Sequence, residues 1–567
     1  MESNTQKPLS VATGKIILII ILFWSHLGFS QNANHAFYVQ FNDKDTNFNI
    51  NEILSPKAIE RRNKYQIQLN YSDYPVKKNY LQKLNQLDSI TVRYALKWSN
   101  SAIIESSKTY VSTLDSLAFI SEIKYVGTIN PNNKREAVDF YKPTVKLKSS
   151  TMETSSLNEL DYGKSYQQNQ QIGVLHLHKK GFNGNRISVA VFDAGFKNIT
   201  KIPGFLRHQA NDKLMFGYDL VNLDNSLSDF DTHGTACASA LGAYDKGKFI
   251  GSGPLAKITL FKTENGKSEY TIEELNWCKA AEIADSIGVD IITSSLGYNQ
   301  FDDPKMNYNH SQLNGNTSFI SRGAKTAVSK GIIVINSAGN QGDSKWKKIG
   351  FPGDAKEVLT VGAITKNGDP ARFSSRGNNA NNSIKPDVVA LGVKATVSSP
   401  SGYYYQGNGT SFSTPIVAGG VACLLQAFPK LSPLEINNLI RQTADHNNNP
   451  DSIKGFGIAR FDIAYEYLNY INSKTTNPSI FSSNSSEIIV FKGLANSMDL
   501  AYYVRRKFLG FLNYHKKMSS LKGIIPSNVH HAKTPIDNEI SRIKIQFYQD
   551  SDKFHKIKKN YPKKKTK

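Results

Sequence analysis

The sequence predicts an α/β protein whose main body is a mainly parallel sheet flanked by helices. Three observations lead to this fold class. From residue 172 to about 470, short Val- and Ile-rich runs alternate with helical stretches, the runs are apolar at successive positions, and each ends in a glycine or a polar turn. Such strands belong to parallel sheets that helices cover on both faces. Ligands of these folds gather beyond the carboxyl ends of the strands.

The strands and helices of this body can be assigned in order. The predicted strands are RISVAVFDAG, KITLFK, VDIITSSLG, GIIVINSAGN, VLTVGAI and KPDVVALG. The predicted helices are TIEELNWCKAAEIADSI, ISRGAKTAVSKG and IVAGGVACLLQAF. Asp193, Ser295 and Asn340 lie at or just past three of the strand ends, so we expect them to meet at one edge of the sheet.

A smaller α+β domain precedes the main body. Over residues 36–130 the predicted order is strand, helix, strand, strand, helix, strand, which is typical of the ferredoxin-like plan. The strands are AFYVQF, ITVRYAL, SAIIES and KYVGTI, and the helices are SPKAIERRN and TYVSTLDSLAFI. Residues 131–165 lose this pattern and are rich in Lys, Ser and Thr. They are predicted to be an exposed linker that is easily cut.

The first 30 residues have the composition of an export signal. Lys7 and Lys15 precede the apolar run IILIIILFW, and small residues follow it. The run is shorter than the roughly 20 residues of a membrane span, so a cleaved signal is favoured over an anchor. We expect cleavage near Ser30 and a secreted, cell-surface or periplasmic location.

The cysteine content argues against a disulfide framework. The chain of 567 residues has three cysteines, and they are widely spaced: Cys237, Cys278 and Cys423. An odd and sparse set in an exported protein favours buried free thiols.

The positive charge is concentrated in the tail. Residues 491–567 hold 18 Lys and Arg against 5 Asp and Glu, which is more than half of the net charge of +22. Such a run is commonly only solvated, but it also suits contact with an anionic surface. No recognition motif accompanies it, so a specific nucleic-acid role is not expected. We assign residues 471–567 as a basic extension for sorting or attachment, whose strand-like SEIIVF and SRIKIQFY are too few for a sandwich.

Four polar residues are candidates for chemistry, and each has an ordinary structural explanation. Asp193 and Asn340 are common turn formers at strand ends. His233, in DTHGTACASALGA, suits a helix start. Ser411 suits a helix N-cap, with Pro415 at an early helical position. A nucleophile held at the positive end of a helix is the alternative for Ser411.

Taken together, the four residues form a pattern that these separate explanations do not predict. The motifs VFDAG, DTHGTACAS, NSAGN and GTSFSTP occur in that order. The order Asp, His, Ser is the one found in subtilisin and differs from the orders of other serine hydrolases. From about residue 166 to 470 the chain therefore resembles the subtilisin-like serine proteases, the subtilases. The resemblance implies a triad of Asp193, His233 and Ser411, with the Asn340 amide and the Ser411 N–H as oxyanion donors.

The departures from the family pattern are small. Ala194 stands where Ser or Thr is common after the aspartate, and Phe412-Ser413 stand where Met-Ala is commoner after the serine. Neither change removes a reacting group.

The resemblance also assigns substrate contacts. Two segments would flank the substrate backbone: an edge strand of Ser294, Ser295, Leu296 and Gly297, and an opposing strand of Gly266, Lys267 and Ser268. Main-chain pairing gives affinity without sequence choice, so selectivity would come from side-chain pockets. Phe351-Pro352 matches a family position where a cis proline is found.

By the same resemblance, residues 36–130 are a propeptide that acts as an intramolecular chaperone and inhibitor, with a processing site in 131–165. A template suits a parallel sheet because its long-range contacts form slowly. The implied partners are protein or peptide substrates and the chain's own propeptide. No cofactor is required. Calcium is common in the family, but no loop in this sequence identifies ligands, and no metal site is assigned.

The leading hypothesis is a secreted serine endopeptidase made as an autoprocessed zymogen. Two alternatives stay open. One is a catalytically weak, protein-binding relative, against which the complete Asp, His, Asn and Ser set argues. The other is a hydrolase that acts mainly on esters, which the same triad can support.

Overall fold

The structure is a computed structural model that describes residues 34–129, 159–224, 227, 231–377 and 379–472, together with the backbone of strands between 479 and 560. The expected signal segment 1–30 and most of the expected linker 131–165 lie outside the described residues. By internal contacts the chain divides into two units. The smaller comprises the described residues within 1–44, 76–95 and 100–134, and the larger comprises 45–75, 96–99 and the rest.

Residues 34–129 contain strands and helices in the predicted alternation. In chain order they are β1 (Asn34–Phe41), α1 (Ile50–Ile53), α2 (Pro56–Lys64), α3 (Lys78–Asn85), β2 (Thr91–Leu96), β3 (Ser101–Ser106), α4 (Lys108–Val111) and β4 (Ile120–Ile129), with 3₁₀ turns at Tyr71–Asp73 and Ser112–Ser116. Their sheet has the order β2-β3-β1-β4, and β1 is antiparallel to both β3 and β4. Sequence reasoning missed α1 and α3. It also made the second helix too long, because α4 ends at Val111, a 3₁₀ turn follows, and Ile120 already belongs to β4.

The larger unit is built on a seven-stranded sheet of order β13-β12-β11-β10-β5-β9-β6, in which every neighbouring pair is parallel. Its strands are β5 (Ser188–Asp193), β6 (Leu214–Asp219), β9 (Lys257–Lys262), β10 (Ile291–Ser294), β11 (Ile333–Ser337), β12 (Leu359–Ile364) and β13 (Val388–Leu391). Short two-stranded pairs join β7 (Tyr244–Asp245) to β8 (Phe249–Ile250) and β14 (Ala395–Ser398) to β15 (Tyr404–Gly407). The mainly parallel sheet is confirmed, and the edge strand β6 is the one that the sequence pattern did not reveal.

Helices accompany this sheet along the chain. They are α5 (Tyr166–Gln171), α6 (Val174–Lys179), α7 (Pro203–Ala210), α8 (His233–Gly242), α9 (Ile272–Ile287), α10 (Phe319–Ser329), α11 (Thr410–Ala427), α12 (Pro433–Thr443) and α13 (Phe461–Asn472), with 3₁₀ turns at Glu159–Tyr162, Pro304–Met306 and His310–Gln312. Helix α11 is apolar on all sides, as expected of a core helix. By length and composition it is the one helix of the described residues that could cross a membrane, but 89% of it is buried inside the fold.

The tail is richer in strands than the sequence indicates. Residues 479–560 contain β16 (Ser479–Ser483), β17 (Ser486–Phe491), β18 (Ala501–Phe508), β19 (Leu512–Lys517), β20 (His530–Lys533), β21 (Arg542–Gln549) and β22 (Lys553–Asn560). They form one sheet of order β16-β17-β18-β19 and another of order β20-β21-β22. The expectation of too few strands was wrong. The strands β18, β19 and β22 carry many Lys and Arg residues, which hide the alternation that identifies a strand.

The sheet order brings three predicted site residues to one edge. β5, β10 and β11 are consecutive neighbours and run parallel, so their carboxyl ends meet. Asp193 ends β5, Ser295 follows β10, and Asn340 follows β11 by three residues. Helix α11 carries Ser411 as its second residue.

Candidate active site

Asp193 and His233 form a hydrogen-bonded pair. His233 Nδ1 lies 2.8 Å from Asp193 Oδ1. Asp193 is 2% exposed, whereas the His233 side chain is 39% exposed, so the ring has one face toward solvent. The buried carboxylate raises the pKa of His233 well above its ordinary value, chiefly by charge attraction. The arrangement fixes the tautomer of the ring and stabilises its protonated form.

The local fold explains how the pair comes so close. His233 is the first residue of α8, and its backbone N–H donates to Asp231 Oδ1 at 2.7 Å. At the next position, a Cβ on Gly234 would lie 2.5 Å from the Gly195 carbonyl oxygen and 2.9 Å from Cβ of Asp193. A side chain at Gly234 would therefore push the helix start away from the end of β5.

Ser411 stands at the amino end of α11, near this pair. Its hydroxyl donates to the Ser295 carbonyl at 3.3 Å, and the residue is 7% exposed. As the second residue of the helix, its N–H belongs to the first four that have no intrahelical acceptor. The geometry combines a hydroxyl with a backbone donor at the positive end of a buried helix.

Pro415 explains an unusual feature of this helix start. It lies inside α11 and has no N–H to donate to the carbonyl four residues earlier, which belongs to Ser411. That carbonyl accepts instead from Ser295 Oγ at 2.8 Å and from Cys237 Sγ at 3.3 Å. Pro415 was expected at the helix start, but the helix begins at Thr410 and the proline lies in its second turn. The Ser411 carbonyl that it leaves free connects Ser411 to Ser295 and Cys237.

Asn340 is held with its amide nitrogen available. Its Oδ1 accepts from the Thr410 N–H at 2.9 Å and from Thr410 Oγ1 at 3.0 Å. Its Nδ2 would lie 3.7 Å from a Cβ placed on Gly409. Because Thr410 precedes Ser411, the carboxamide donor and the serine are positioned by adjacent residues.

The predicted edge segment follows β10 directly. Ser294 is buried, and its hydroxyl donates to Asn336 Oδ1 at 2.5 Å, so its side chain is part of the sheet. The Leu296 carbonyl accepts from Asn336 Nδ2 and Ser337 Oγ at 2.9 and 3.1 Å. Ser295 and Leu296 are half-buried, and Gly297 is exposed.

The opposing segment is a turn, not the predicted strand. The Ser268 N–H donates to the Asn265 carbonyl at 3.1 Å, and Asn265 Nδ2 donates to Ser268 Oγ at 2.7 Å. Gly266 and Lys267 are exposed. A Cβ on Gly266 would approach Asp231 Oδ2 to 3.2 Å, so the turn lies beside the residue that holds the His233 amide. The segment forms a turn and not a strand because the Asn265 side chain supplies a hydrogen bond in place of those between paired strands.

Cys237 is a site neighbour that the sequence did not indicate. Its Sγ lies 3.7 Å from Nδ1 and 3.9 Å from Nε2 of His233. Burial raises the pKa of this thiol. The spacing of four residues on one helix could have shown the contact, because residues i and i+4 share a face. All three cysteines are free and buried, as predicted.

Asp193, His233 and Cys237 are also the group within the described ranges that could hold a metal ion. Its thiol and imidazole donors do not fit calcium, which takes oxygen ligands. The group therefore gives no support to a calcium site.

A parallel α/β fold with Asp, His and Ser side chains gathered at the strand ends is the arrangement of a serine hydrolase. Residues 184–457 match the subtilase family, Peptidase S8. Residues 36–139 match the Peptidase S8 propeptide domain of Bacteroidota. The chain thus contains a peptidase S8 (subtilase) domain preceded by an S8 propeptide domain. The Phe351–Pro352 peptide bond is cis, as the resemblance implies.

Known bacterial proteins are similar to this chain over the same region. Serine protease AprX of Bacillus subtilis (strain 168) is 31% identical over 304 residues, which is 48% of this chain and 65% of AprX. Subtilisin E of the same organism is 29% identical over 286 residues, which is 49% of this chain and 66% of subtilisin E. The chain thus matches less than two thirds of either relative. The crystal structure of MycP1 from the ESX-1 type VII secretion system has a TM-score of 0.43 and 23% identity, with 55% of this chain and 87% of MycP1 covered.

Proposed function

We propose that this protein is a serine endopeptidase that hydrolyses peptide bonds through Asp193, His233 and Ser411. The observation that carries the proposal is the 2.8 Å hydrogen bond between His233 Nδ1 and Asp193 Oδ1, next to a serine at the amino end of a buried helix. AprX, whose name describes it as a serine protease, has similar sequence across this region.

The chemical steps follow from these groups. Ser411 Oγ attacks the substrate carbonyl carbon while His233 Nε2 takes the hydroxyl proton. The imidazolium then gives that proton to the leaving amine as the C–N bond breaks, and an acyl-serine remains. A water molecule, deprotonated by the same ring, attacks the acyl carbon and releases the carboxylic acid and free Ser411. Asp193 stabilises the imidazolium in both halves.

The negative oxygen of each tetrahedral intermediate needs donors. Asn340 Nδ2 and the Ser411 N–H are the two candidates, because Thr410 occupies Oδ1 of the asparagine. Donors fixed before the reaction stabilise the transition state without reorganisation, and one such donor contributes ~10²–10³-fold in kcat.

The Ser411 hydroxyl bonds to Ser295 in the free protein, so its χ1 must turn before the proton can pass to His233. Catalytic hydrogen bonds often form only when substrate is bound. A peptide lying along Ser295–Gly297 would exclude water and favour that turn.

We further infer that the protein is an exported zymogen. The match of residues 36–139 to an S8 propeptide supports inhibition by the chain's own amino-terminal region. Self-cleavage would fall within 131–165, after the signal has been removed near Ser30. Export to the cell surface, the periplasm or the medium agrees with the charged and apolar sequence of residues 1–30.

Casein and a short-chain ester separate this function from its alternatives. Both substrates are offered to the mature product, with and without a phosphonate that labels an active serine. Casein cleavage that the phosphonate abolishes supports the endopeptidase. Ester turnover without casein cleavage would favour the esterase, and no labelling with no turnover would favour a binding protein.

A further inference from the structure

Three glutamates surround the turn that faces the candidate active site. Glu264 and Glu269 lie on either side of Gly266–Ser268, and Glu273 projects from the start of α9. The Thr263 N–H, one residue before Glu264, donates to the Asp193 carbonyl at 3.0 Å. The group therefore begins one residue from a direct contact with the Asp–His pair.

The same group reaches the other predicted substrate segment. Tyr298, the residue after Gly297, donates its hydroxyl to Glu264, with 2.6 Å to each carboxyl oxygen. The Glu269 N–H donates to Asp302 Oδ2 at 3.1 Å, which ties the turn to the loop that follows. The acidic group thus lies between the two segments that would flank a bound peptide.

Glu273 has an unsatisfied carboxyl oxygen. The residue is 2% exposed, and its Oε1 has no hydrogen-bond partner among the described residues. Its Oε2 has a 3.4 Å contact from the Asn265 N–H, and its carboxyl lies within hydrogen-bond reach of the Glu264 carboxyl, with which it can share a proton. A buried acceptor without a donor costs free energy. Between Glu264 and Glu273 a shared proton can lower that cost, and a cationic side chain in its place would lower it too.

The electrostatic surroundings of the group are acidic. Burial is the main cause that raises the pKa of Glu269 to about 8, and Glu264, Asp302 and Glu274 raise it further. Burial likewise raises the pKa of Glu273, and the charges of Glu264 and Glu269 add to the effect. These carboxyls therefore crowd one another, and a cation placed among them would relieve both the burial and the repulsion.

Several other buried carboxylates of this unit have cationic partners. The ion pairs are Asp219 with Lys262, Asp285 with Arg61 and Arg62, Asp387 with Lys385 and Arg441, and Asp462 with Arg460. The contrast marks the Glu264, Glu269 and Glu273 group as different from the structural ion pairs.

The group of Glu264, Glu269 and Glu273 is accessible to solvent on the side of the Gly266–Ser268 turn. Glu264 and Glu269 are half-buried, and Gly266 is exposed and without a side chain. A lysine or arginine has a long apolar stem that can cross such a rim and place its charge inside.

We propose that Glu264, Glu269 and Glu273 form a subsite that binds a lysine or arginine side chain of the substrate. The proposal rests on the proposed peptidase function and names the selectivity of that same site. The linker in 131–165 offers such residues for self-cleavage, beginning with Lys134 and Arg135.

The test uses the mature product of the full chain and internally quenched peptides. One lysine is moved through six positions around a single cleavable bond, and each peptide is matched by a norleucine peptide of similar length and apolar stem. At one position kcat/KM for lysine should exceed that for norleucine roughly tenfold or more, the usual effect of a hydrogen-bonded charge.

Two variants assign the preference to the subsite. Glu273→Gln should move the lysine to norleucine ratio toward one. Glu274→Gln is the matched control, because that neighbouring buried carboxylate already accepts from Tyr308 Oη and the Ile320 N–H at 2.8 and 3.0 Å, and it should keep the ratio. Melting temperatures of both variants are measured alongside.

The outcomes separate the subsite from the peptidase function. A ratio near one at every position in the wild type, or an unchanged ratio in a folded Glu273→Gln variant, overturns the subsite. If the wild type cleaves none of the peptides and no phosphonate labels it, the proposed function fails instead. If Glu273→Gln does not fold, Glu269→Gln takes its place, because Glu269 is only half-buried, and an unchanged ratio in that folded variant overturns the subsite.

Discussion

Nδ1 of His233 lies 2.8 Å from Oδ1 of Asp193, while the buried Oδ2 of Asp193 has no hydrogen-bond partner among the described residues. The carboxylate therefore interacts mainly through one oxygen, which also accepts from the Ala194 N–H at 2.9 Å. This geometry makes Asp193 responsible for the raised pKa of His233. Replacing Asp193 by asparagine should therefore have two separate effects.

Asp193→Asn should lower kcat by ~10⁴-fold, because the amide favours the wrong ring tautomer. It should also move the acidic limb of the kcat/KM profile to lower pH. The ring must be neutral to accept a proton, and without the carboxylate the imidazolium is less stable, so its pKa falls. Both are measured with one peptide from pH 5 to 10. An unchanged acidic limb would mean that Asp193 does not set the titration of His233.

Ser411→Ala should abolish peptide hydrolysis without unfolding the protein. The hydroxyl is not the helix cap that it could have been, because Gly409 holds that position and Ser411 Oγ donates to the Ser295 carbonyl. If it served only that hydrogen bond, its loss would cost about 0.5–1.5 kcal/mol of stability and leave turnover in place. Turnover and melting temperature are therefore measured together. The same variant should accumulate as the unprocessed chain after Ser30. Processing at the wild-type rate in purified protein would show that another protease makes the cut.

Asn340→Ala should lower kcat by ~10²–10³-fold with little change in KM, because the amide donates only to charge that develops in the transition state. Gln341→Ala is the control. Its side chain exchanges hydrogen bonds with Asn299 at 2.7 and 3.0 Å, so kcat should stay close to that of the wild type. Equal losses in the two variants would point to disturbed packing of this loop.

The positions of the candidate residues in the fold were easier to predict from the sequence than their surroundings. Asp193, Asn340 and Ser411 follow from strand ends and a helix start, which are local features. The partners of Ser411 do not follow in this way, because Ser295 and Cys237 come from distant parts of the chain. The family resemblance implied a strand at Gly266–Ser268, but the segment is a turn in which the Asn265 side chain bonds to Ser268.

Charged residues hid other features. Strands of the tail were missed where Lys and Arg interrupt the apolar alternation, as in β22. The ion pairs of Arg61 and Arg62 with Asp285 could not be foreseen either, because more than 220 residues separate the partners. Periodicity reports which face of an element is buried, but not which distant charge neutralises a buried one.

Arg61→Ala should destabilise the unprocessed chain by about 3–5 kcal/mol, because it leaves the buried Asp285 with less compensation. Arg61 Nη2 lies 2.5 Å from Asp285 Oδ1, and Arg61 Nη1 donates to the Val289 carbonyl at 2.6 Å. Unfolding is followed in urea in the Ser411→Ala background, which prevents cleavage. Lys57→Ala is the control, since Lys57 pairs with Asp290 at 2.9 Å while partly exposed, and it should cost about 0–1 kcal/mol. If the two variants lost the same free energy of unfolding, burial of the Arg61–Asp285 pair would not increase its contribution to stability.

A chain that ends near residue 473 should keep peptide hydrolysis and lose attachment to anionic surfaces. Every residue that we assign to the chemistry lies before that point, whereas residues 491–567 carry 13 positive charges in excess. Attraction between such a tail and anionic lipid is screened over about 10 Å at 0.1 M salt. Full-length and truncated protein are therefore compared for hydrolysis, and for retention on vesicles of anionic and neutral lipid at low and high salt. Salt-sensitive retention of the full-length protein alone is the expected result. Loss of hydrolysis from a truncated protein with a normal melting temperature would show that the tail contributes to the active site.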